Sequence, residues 1–279
     1  MSPPRKRTPP RPTPSPRITP RPPADTTPPA NSMVPVGEMP PVDPARILFQ
    51  GHGILVYDKP AGTPMHFGTD HPFGLAEALD AFARHNPGVI EIAANRKIAP
   101  LHRLDLEASG VVLFGLERAA STAVQELFAA GKVEKRYLAV VAGPLEEEAV
   151  IEGTVRSRLR GVYRQLPSRI QYRRIAGDER LSLVVVRPTG GRTHQIRSLF
   201  SAIGRPLAGD LRYGKPKPAR QFLEKFNTAS LLLHALSLAV PRGPFPDPET
   251  FTAPIPEALR RLAEAKGWKI GEIPGLGVL

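Results

Sequence analysis

The chain is 279 residues long, carries 38 Lys and Arg against 26 Asp and Glu for a formal charge of +12, and contains no cysteine. That composition excludes disulfides, thiolate metal sites and thiol nucleophiles, and it asks for no oxidising compartment. It points instead to a polyanionic partner, nucleic acid first.

Residues 1–44 hold 16 of the 34 prolines, and their six basic residues set against Asp25, Glu38 and Asp43 give a net +3, which leaves +9 for residues 45–279. A stretch so rich in proline and so poor in apolar residues cannot bury enough surface to offset its ordering entropy, so a disordered basic tail is expected there. It lacks the apolar run of a secretory signal, and no stretch of the chain reads as a membrane span, so a cytoplasmic protein is expected. Residues 45–279 are long enough for one domain with a full core.

Ile47–Phe49 and Ile54–Tyr57 are short β-type runs around Gly51 and Gly53, which reads as a hairpin. Residues 58–64 form a turn-rich loop, and helical spacing follows from Gly74 to Arg84, stopped by Asn86-Pro87-Gly88. Val111–Phe114 is a buried-strand candidate, and 119–130 an amphipathic helix with Ala120, Val124, Leu127 and Phe128 on one face, closed by Gly131. Tyr137–Ala142 is a further strand. Residues 154–174 then carry seven arginines and no acid, with Tyr163 and Tyr172 interleaved. Guanidinium groups contact phosphate bidentately and tyrosine stacks on bases, so this segment, with Arg156, Arg158, Arg160 and Arg164, is expected to be an RNA-contacting arm. Leu181–Val186 is a strand, a helix is expected from about His194 to Ile203, Gly209–Gly214 is a glycine-bracketed loop, and Leu231–Val240 is a final strand. Strands outnumber helices and short turns join many of them. The expected class is α+β, a mixed and mostly antiparallel sheet with flanking helices.

Several chemistries fail on spacing. Gly51-His52-Gly53 lacks the third glycine of a dinucleotide fingerprint, and no phosphate loop ends in Gly-Lys-Ser/Thr. The seven histidines are scattered without a close metal-ligand pair, so no metal is expected. Ser109 lacks the glycine of a nucleophile elbow. What remains is Asp105 in a basic neighbourhood, two residues after Arg103, with Arg192 and Arg197 as further guanidinium groups. An arginine close to a buried carboxylate keeps it ionised and oriented, as a nucleophile or general base requires.

His102-Arg103-Leu104-Asp105 with Ser109-Gly110, Lys135-Arg136-Tyr137, Gly191–Arg197, Gly209-Asp210 with Tyr213-Gly214, Asp58–Gly62 with His66, and Leu233-His234-Ala235 stand in an order that resembles the pseudouridine synthases of the RluA type. The resemblance covers residues 47 to about 254. It implies the pseudouridine synthase fold, a long mixed sheet with a central RNA-binding cleft, and a catalytic domain over 45–279 with no S4-like module apparent. It implies Asp105 as nucleophile or base on a flipped-out uridine, Tyr137 stacked on that base and assisting proton removal, and Arg197 paired with Asp105, with Arg192 as the fallback. Arg103 would occupy the space the base vacates, and Arg192 and His194 would contact RNA. No cofactor is implied, and a monomer acting on ribosomal RNA or tRNA is expected. Ala108 departs from the family's usual Thr, and Ser109-Gly110 is taken as the turn that presents Asp105. His102 and His234 are expected to be structural. A uracil C5-methyltransferase is excluded by the missing Cys. The remaining alternative is a non-catalytic RNA-binding or assembly protein that retains the fold.

Overall fold

The computed structural model describes residues 17–18, 38–68, 72–159, 162–270, 272–273 and 277–278. Apart from residues 17–18 and 38–44, the expected tail lies outside the described residues, as does Arg160.

One mixed sheet organises the chain. Its principal strands are β1 (Ile47–Gly51), β2 (Ile54–Lys59), β3 (Ser109–Gly115), β4 (Glu134–Ala142), β5 (Glu148–Leu159), β6 (Val162–Gly177), β7 (Leu181–Thr189), β8 (Leu233–Val240) and β9 (Glu249–Thr252). They lie in the order β5-β6-β7-β4-β8-β3-β2-β1, with β9 antiparallel to β8 and Arg17–Ile18 pairing beside β5. Neighbours in this order are antiparallel except β8 and β3, which meet in parallel at His234–Ser109 and Ala235–Gly110. The mostly antiparallel α+β expectation is therefore met.

The parallel junction needs a glycine. Gly110 sits at φ +110°, and a Cβ there would come within 2.2 Å of the Ala235 carbonyl oxygen. Ser109 and Gly110 are thus the first residues of β3 and not the turn itself. The turn is Asp105–Ala108, closed by the Ala108 N–H donating to the Asp105 carbonyl at 3.2 Å. It places Asp105 just ahead of the sheet's central seam.

Both faces of the sheet are covered, which is why its inner strands read as unbroken apolar runs rather than alternating ones. Along β2, Leu55 and Tyr57 belong to the cluster that includes Leu75 and Leu79 of helix α1 (Leu75–His85). Ile54 and Val56 join Ala120 and Val124 of α2 (Arg118–Ala129) in another cluster. The buried α3 (Gln195–Ala202) adds Ile196, Leu199 and Phe200 to the first cluster, beside Ile151, Ile170 and Tyr172. Helices α4 (Pro216–Lys225) and α5 (Glu257–Lys266) bring Phe222, Leu259 and Leu262 onto Leu138, Val140 and Leu183. Neither α4 nor α5 is assigned by the sequence reading. Among the described residues no helix is long and apolar enough to cross a membrane.

The arginine-rich segment is the long hairpin β5–β6, and two expectations about it change. Tyr172 is 1% exposed and packs on Phe200 with ring centroids 5.6 Å apart, so it is a core residue and cannot stack on RNA. The acids missing along 154–174 come from the neighbouring strand. Glu152 pairs with Arg169 at 2.9 Å and Glu148 with Arg173 at 3.7 Å. Charge in a hairpin is compensated across strands, where direct opposites share a face.

Candidate active site

The turn carrying Asp105 is pinned from two distant segments. The Leu106 carbonyl accepts from the Gly62 N–H at 2.8 Å and from Lys59 Nζ at 3.1 Å. The Glu107 carbonyl accepts from Ser230 Oγ at 3.1 Å. Lys59 is wholly buried and also donates to the Thr63 and Pro60 carbonyls at 2.7 and 3.0 Å. Burial pushes its ammonium down to about 7, against the opposing pull of Asp105, Glu107 and Asp58. The loop that opens with Asp58-Lys59-Pro60 is thus a clamp on the Asp105 turn, and Lys59 was not singled out by sequence reasoning. The three carbonyls of Pro60, Thr63 and Leu106 match the three donors of the buried ammonium.

Arg197 lies in the first turn of α3 with a side chain 1% exposed. Its Nε and Nη2 donate to Asp210 at 2.8 and 3.0 Å, and its Nη1 and Nη2 to Glu107 at 2.9 and 3.2 Å. Asp105 Oδ2 stands 3.6 Å from Nη1, an ion-pair distance beyond a hydrogen bond. Arg197 therefore does face Asp105, as expected, but its bonded partners are Asp210 and Glu107. Burial alone would lift the Asp210 carboxyl, but the bonds and attraction of Arg197 outweigh it and hold it below the ordinary range. The same balance lowers Glu107, and the three carboxylates raise Arg197. Asp210 between Gly209 and Leu211 was legible only as a loop residue. Its complete burial is what demands a cation.

The other oxygen of Asp105 faces a histidine. His194 Nε2 is 3.8 Å from Oδ1, and Nδ1 lies 3.1 Å from the Tyr213 hydroxyl. His194 caps α3 with φ +54°, a left-handed conformation uncommon outside glycine. Burial lowers its pKa, with Arg197 and Arg212 adding to the effect and Asp105 opposing it, which favours the neutral imidazole. His194 was expected to touch RNA, and the structure brings it to Asp105.

Arg103, Leu104, Asp105, Tyr137, Arg192 and His194 line one cleft. Burial raises the Tyr137 phenol and the Asp105 charge raises it further, so Tyr137 stays protonated at neutral pH. A protonated phenol is a hydrogen-bond donor, and Tyr137 lines the cleft beside Asp105. Arg103 is exposed beside Asp105. Arg192 does not pair with Asp105; its Nε donates to the Pro167 carbonyl at 3.0 Å, so the fallback role fails. Gln195 fastens this loop by accepting from the Arg192 N–H and donating to the Arg169 carbonyl. Ala108 is 1% exposed within the core, so its methyl leaves no hydroxyl to satisfy.

His102 Nε2 accepts from the Leu113 N–H at 3.1 Å, and burial drives its pKa down to about 3. His234 Nδ1 lies 2.9 Å from Ser109 Oγ, and its pKa falls to about 4, again through burial. Both are structural. A separate hollow lined by Glu148, Gln171, Tyr172, Arg173, Val185 and Arg187 holds none of these groups.

The arm has two faces. Arg164 lies opposite Ser157 and continues the row of Ser168, Ile170 and Tyr172, the row that packs on α3. Arg156 lies opposite Gln165 on the other face, with its guanidinium 4.6 Å from the ring centroid of the exposed Tyr163. Arg158 pairs through its backbone with Tyr163.

The chain matches the family described as RNA pseudouridylate synthase over residues 53–202, which spans the clamp, the Asp105 turn, Tyr137 and Arg197. It is 32% identical over 234 residues to ribosomal large subunit pseudouridine synthase D of Xanthomonas campestris pv. campestris, covering 80% of this chain and 69% of that protein. It is 29% identical over 240 residues to tRNA pseudouridine synthase C of Haemophilus ducreyi, covering 80% and 96%. The chain spans between 51 and 69% of the length of the ribosomal-type relatives it matches. In fold it is similar to the solved structure titled human RNA pseudouridylate synthase domain containing 4, with a TM-score of 0.67, 21% identity and coverage of 81% of this chain and 94% of that one. A pinned acidic turn at the seam of this sheet, matched in sequence across its supporting segments, places the chain in the RNA pseudouridylate synthase family.

Proposed function

We propose that this chain, as a member of that family, isomerises specific uridines to pseudouridine in structured RNA, with Asp105 as the attacking or proton-accepting carboxylate. The observation that carries the reading is the placement of Asp105: the Arg197 guanidinium stands 3.6 Å from one oxygen and the His194 imidazole 3.8 Å from the other, in a cleft shared with Tyr137. A carboxylate so oriented but not hydrogen-bonded by those partners is available to react.

The target base must leave the stack before its glycosidic bond can be reached, at a cost of a few kcal/mol. Arg103 fills the vacated space and Tyr137 stacks on the extruded uracil. The bond from C1′ to N1 breaks, the ring turns, and C1′ rejoins at C5. The C5 proton leaves and N1 gains one, so the product is an isomer. Nothing is oxidised or reduced, and the sequence of steps calls for no metal or organic cofactor.

Ribosomal RNA is the substrate class we favour, because six of the relatives compared carry ribosomal names, and tRNA is the second reading, because two carry tRNA names. Arg164 and Arg192 contact the RNA from the cleft side, and Arg156, Arg158 and Arg160 add further phosphate contacts. Residues 45–279 act as the catalytic domain, as a monomer in the cytoplasm, and residues 1–44 as a basic tail. Transcripts of ribosomal RNA and tRNA labelled with tritium at uridine C5 test the reading directly. Release of tritium to water from ribosomal transcripts is expected, and no release from either RNA would contradict it.

A further inference from the structure

Arg197 has five N–H donors, and counting them assigns a role to Glu107. Asp210 takes two of them, one from Nε and one from Nη2. Glu107 takes the second N–H of Nη2 and one of Nη1. Both forks of the guanidinium are therefore filled by carboxylates that are not Asp105. A single N–H on Nη1 is left over, and Asp105 Oδ2 lies 3.6 Å from that nitrogen.

Asp105 and Glu107 lie on one turn, two residues apart, and reach the same nitrogen. Had Asp105 held the fork that Glu107 holds, it would be tied into a bidentate ion pair, the arrangement that most stabilises a carboxylate's charge and fixes its direction. Such a carboxylate is a poorer nucleophile and a poorer base. We propose that Glu107 is a positioning residue that occupies the second fork of Arg197, so that Asp105 is oriented by the guanidinium without being captured by it. The proposal rests on the reading of Asp105 as the reacting carboxylate.

The charged groups that act on Glu107 are Arg197 and His194, and Glu107 in turn bears on Lys59. Ser230 holds its backbone and not its carboxylate. The Glu107 side chain is 36% exposed, so its replacement does not empty a core position.

Separating rate from binding distinguishes this role from a merely structural one. Replacing Glu107 by Gln empties the second fork and leaves its N–H groups to Asp105. Single-turnover rates and RNA affinity are measured for the wild type, Glu107→Gln, Glu107→Asp and Asp105→Asn. For Glu107→Gln the rate should be roughly tenfold lower, with RNA affinity within about twofold of wild type. Glu107→Asp keeps the carboxylate but is one methylene short of the fork, so its rate is expected between the two. A wild-type rate in Glu107→Gln, or an RNA affinity that falls as far as the rate, overturns the proposal. Should Glu107→Gln fail to melt cooperatively, Glu107→Asp carries the test on the same terms. Activity surviving in Asp105→Asn would overturn the catalytic reading beneath it, whereas an inactive Asp105→Asn with a wild-type rate in Glu107→Gln removes the role of Glu107 alone.

Discussion

The catalytic turn and the β5–β6 arm both gather charge, but they hold it differently. Around Asp105 the partners come from far along the chain: Glu107 and Arg197 are 90 residues apart, and Leu106 and Lys59 are 47 apart. The cation is 1% exposed, and four of its five donors are taken by Asp210 and Glu107. In the arm, Arg169 and Arg173 pair with glutamates directly across one hairpin and remain roughly half exposed. Buried charge must be satisfied completely or the fold fails, so the centre is rigid by necessity. Exposed pairs contribute about 0–1 kcal/mol each, so the arm can change its charges at little cost to stability. The proposed chemistry thus falls where geometry is over-determined, and the proposed RNA contact where it is not.

Removing Arg197 should break the centre most severely. Arg197→Ala leaves Asp210 buried without a cation, and a loss of roughly 3–5 kcal/mol of unfolding free energy is expected in a denaturant titration, with activity at background. Lys59→Met should keep more of the fold but release the Leu106 carbonyl. A small displacement of the turn then lowers the single-turnover rate by roughly 100-fold, with RNA affinity little changed. An equal loss in the two quantities would mean that Lys59 supports binding and not geometry.

Two imidazoles, His234 buried and His102 half-buried, give the next effect. His102 and His234 titrate at about 3 and 4 when folded, against an ordinary value of 6.5. Between those values and 6.5 the unfolded chain binds the protons that the native one refuses. Stability is therefore full above pH 6.5 and is lost as pH falls below it, by at most about 1.4 kcal/mol per pH unit for each histidine. His102→Gln should flatten the fall of melting temperature between pH 6.5 and 4. The arm should show the smallest change. Arg164→Ala is expected to weaken RNA binding by roughly threefold to tenfold and to reduce the salt slope of log K by about one, with stability unmoved. Arg156→Ala, on the other face, is expected to do less, and a reversed order would contradict the assignment of faces.

Much of this was legible in the sequence. The strands over 47–59, 111–114, 137–142, 181–186 and 231–240 announce themselves because both faces of the sheet are covered. The order of the motifs places Asp105, Tyr137 and Arg197 together. Tyr172 misleads because a long hairpin alternates its faces, and the side that packs on α3 is fixed only by tertiary structure. The partners of Arg197 were hidden for a different reason. Glu107 sits inside the most informative segment of the chain, yet which of two neighbouring carboxylates takes the fork depends on the path of a single turn. Helix α4 lies just before the last strand assigned and α5 after it. They begin at or just after prolines and are strongly charged, and what fixes them is the apolar patch of Leu138, Val140 and Leu183 on the sheet beneath.

The central claim is that Asp105 performs the chemistry while the surrounding groups hold it. Asp105→Asn keeps the shape of the side chain and removes its charge. Single-turnover formation of pseudouridine, measured beside RNA affinity on the same preparation, separates the two functions. The expected result is product at background with affinity within about threefold of wild type, since on this reading Asp105 does the chemistry and does not hold the RNA backbone. Product formed at the wild-type rate would contradict the account.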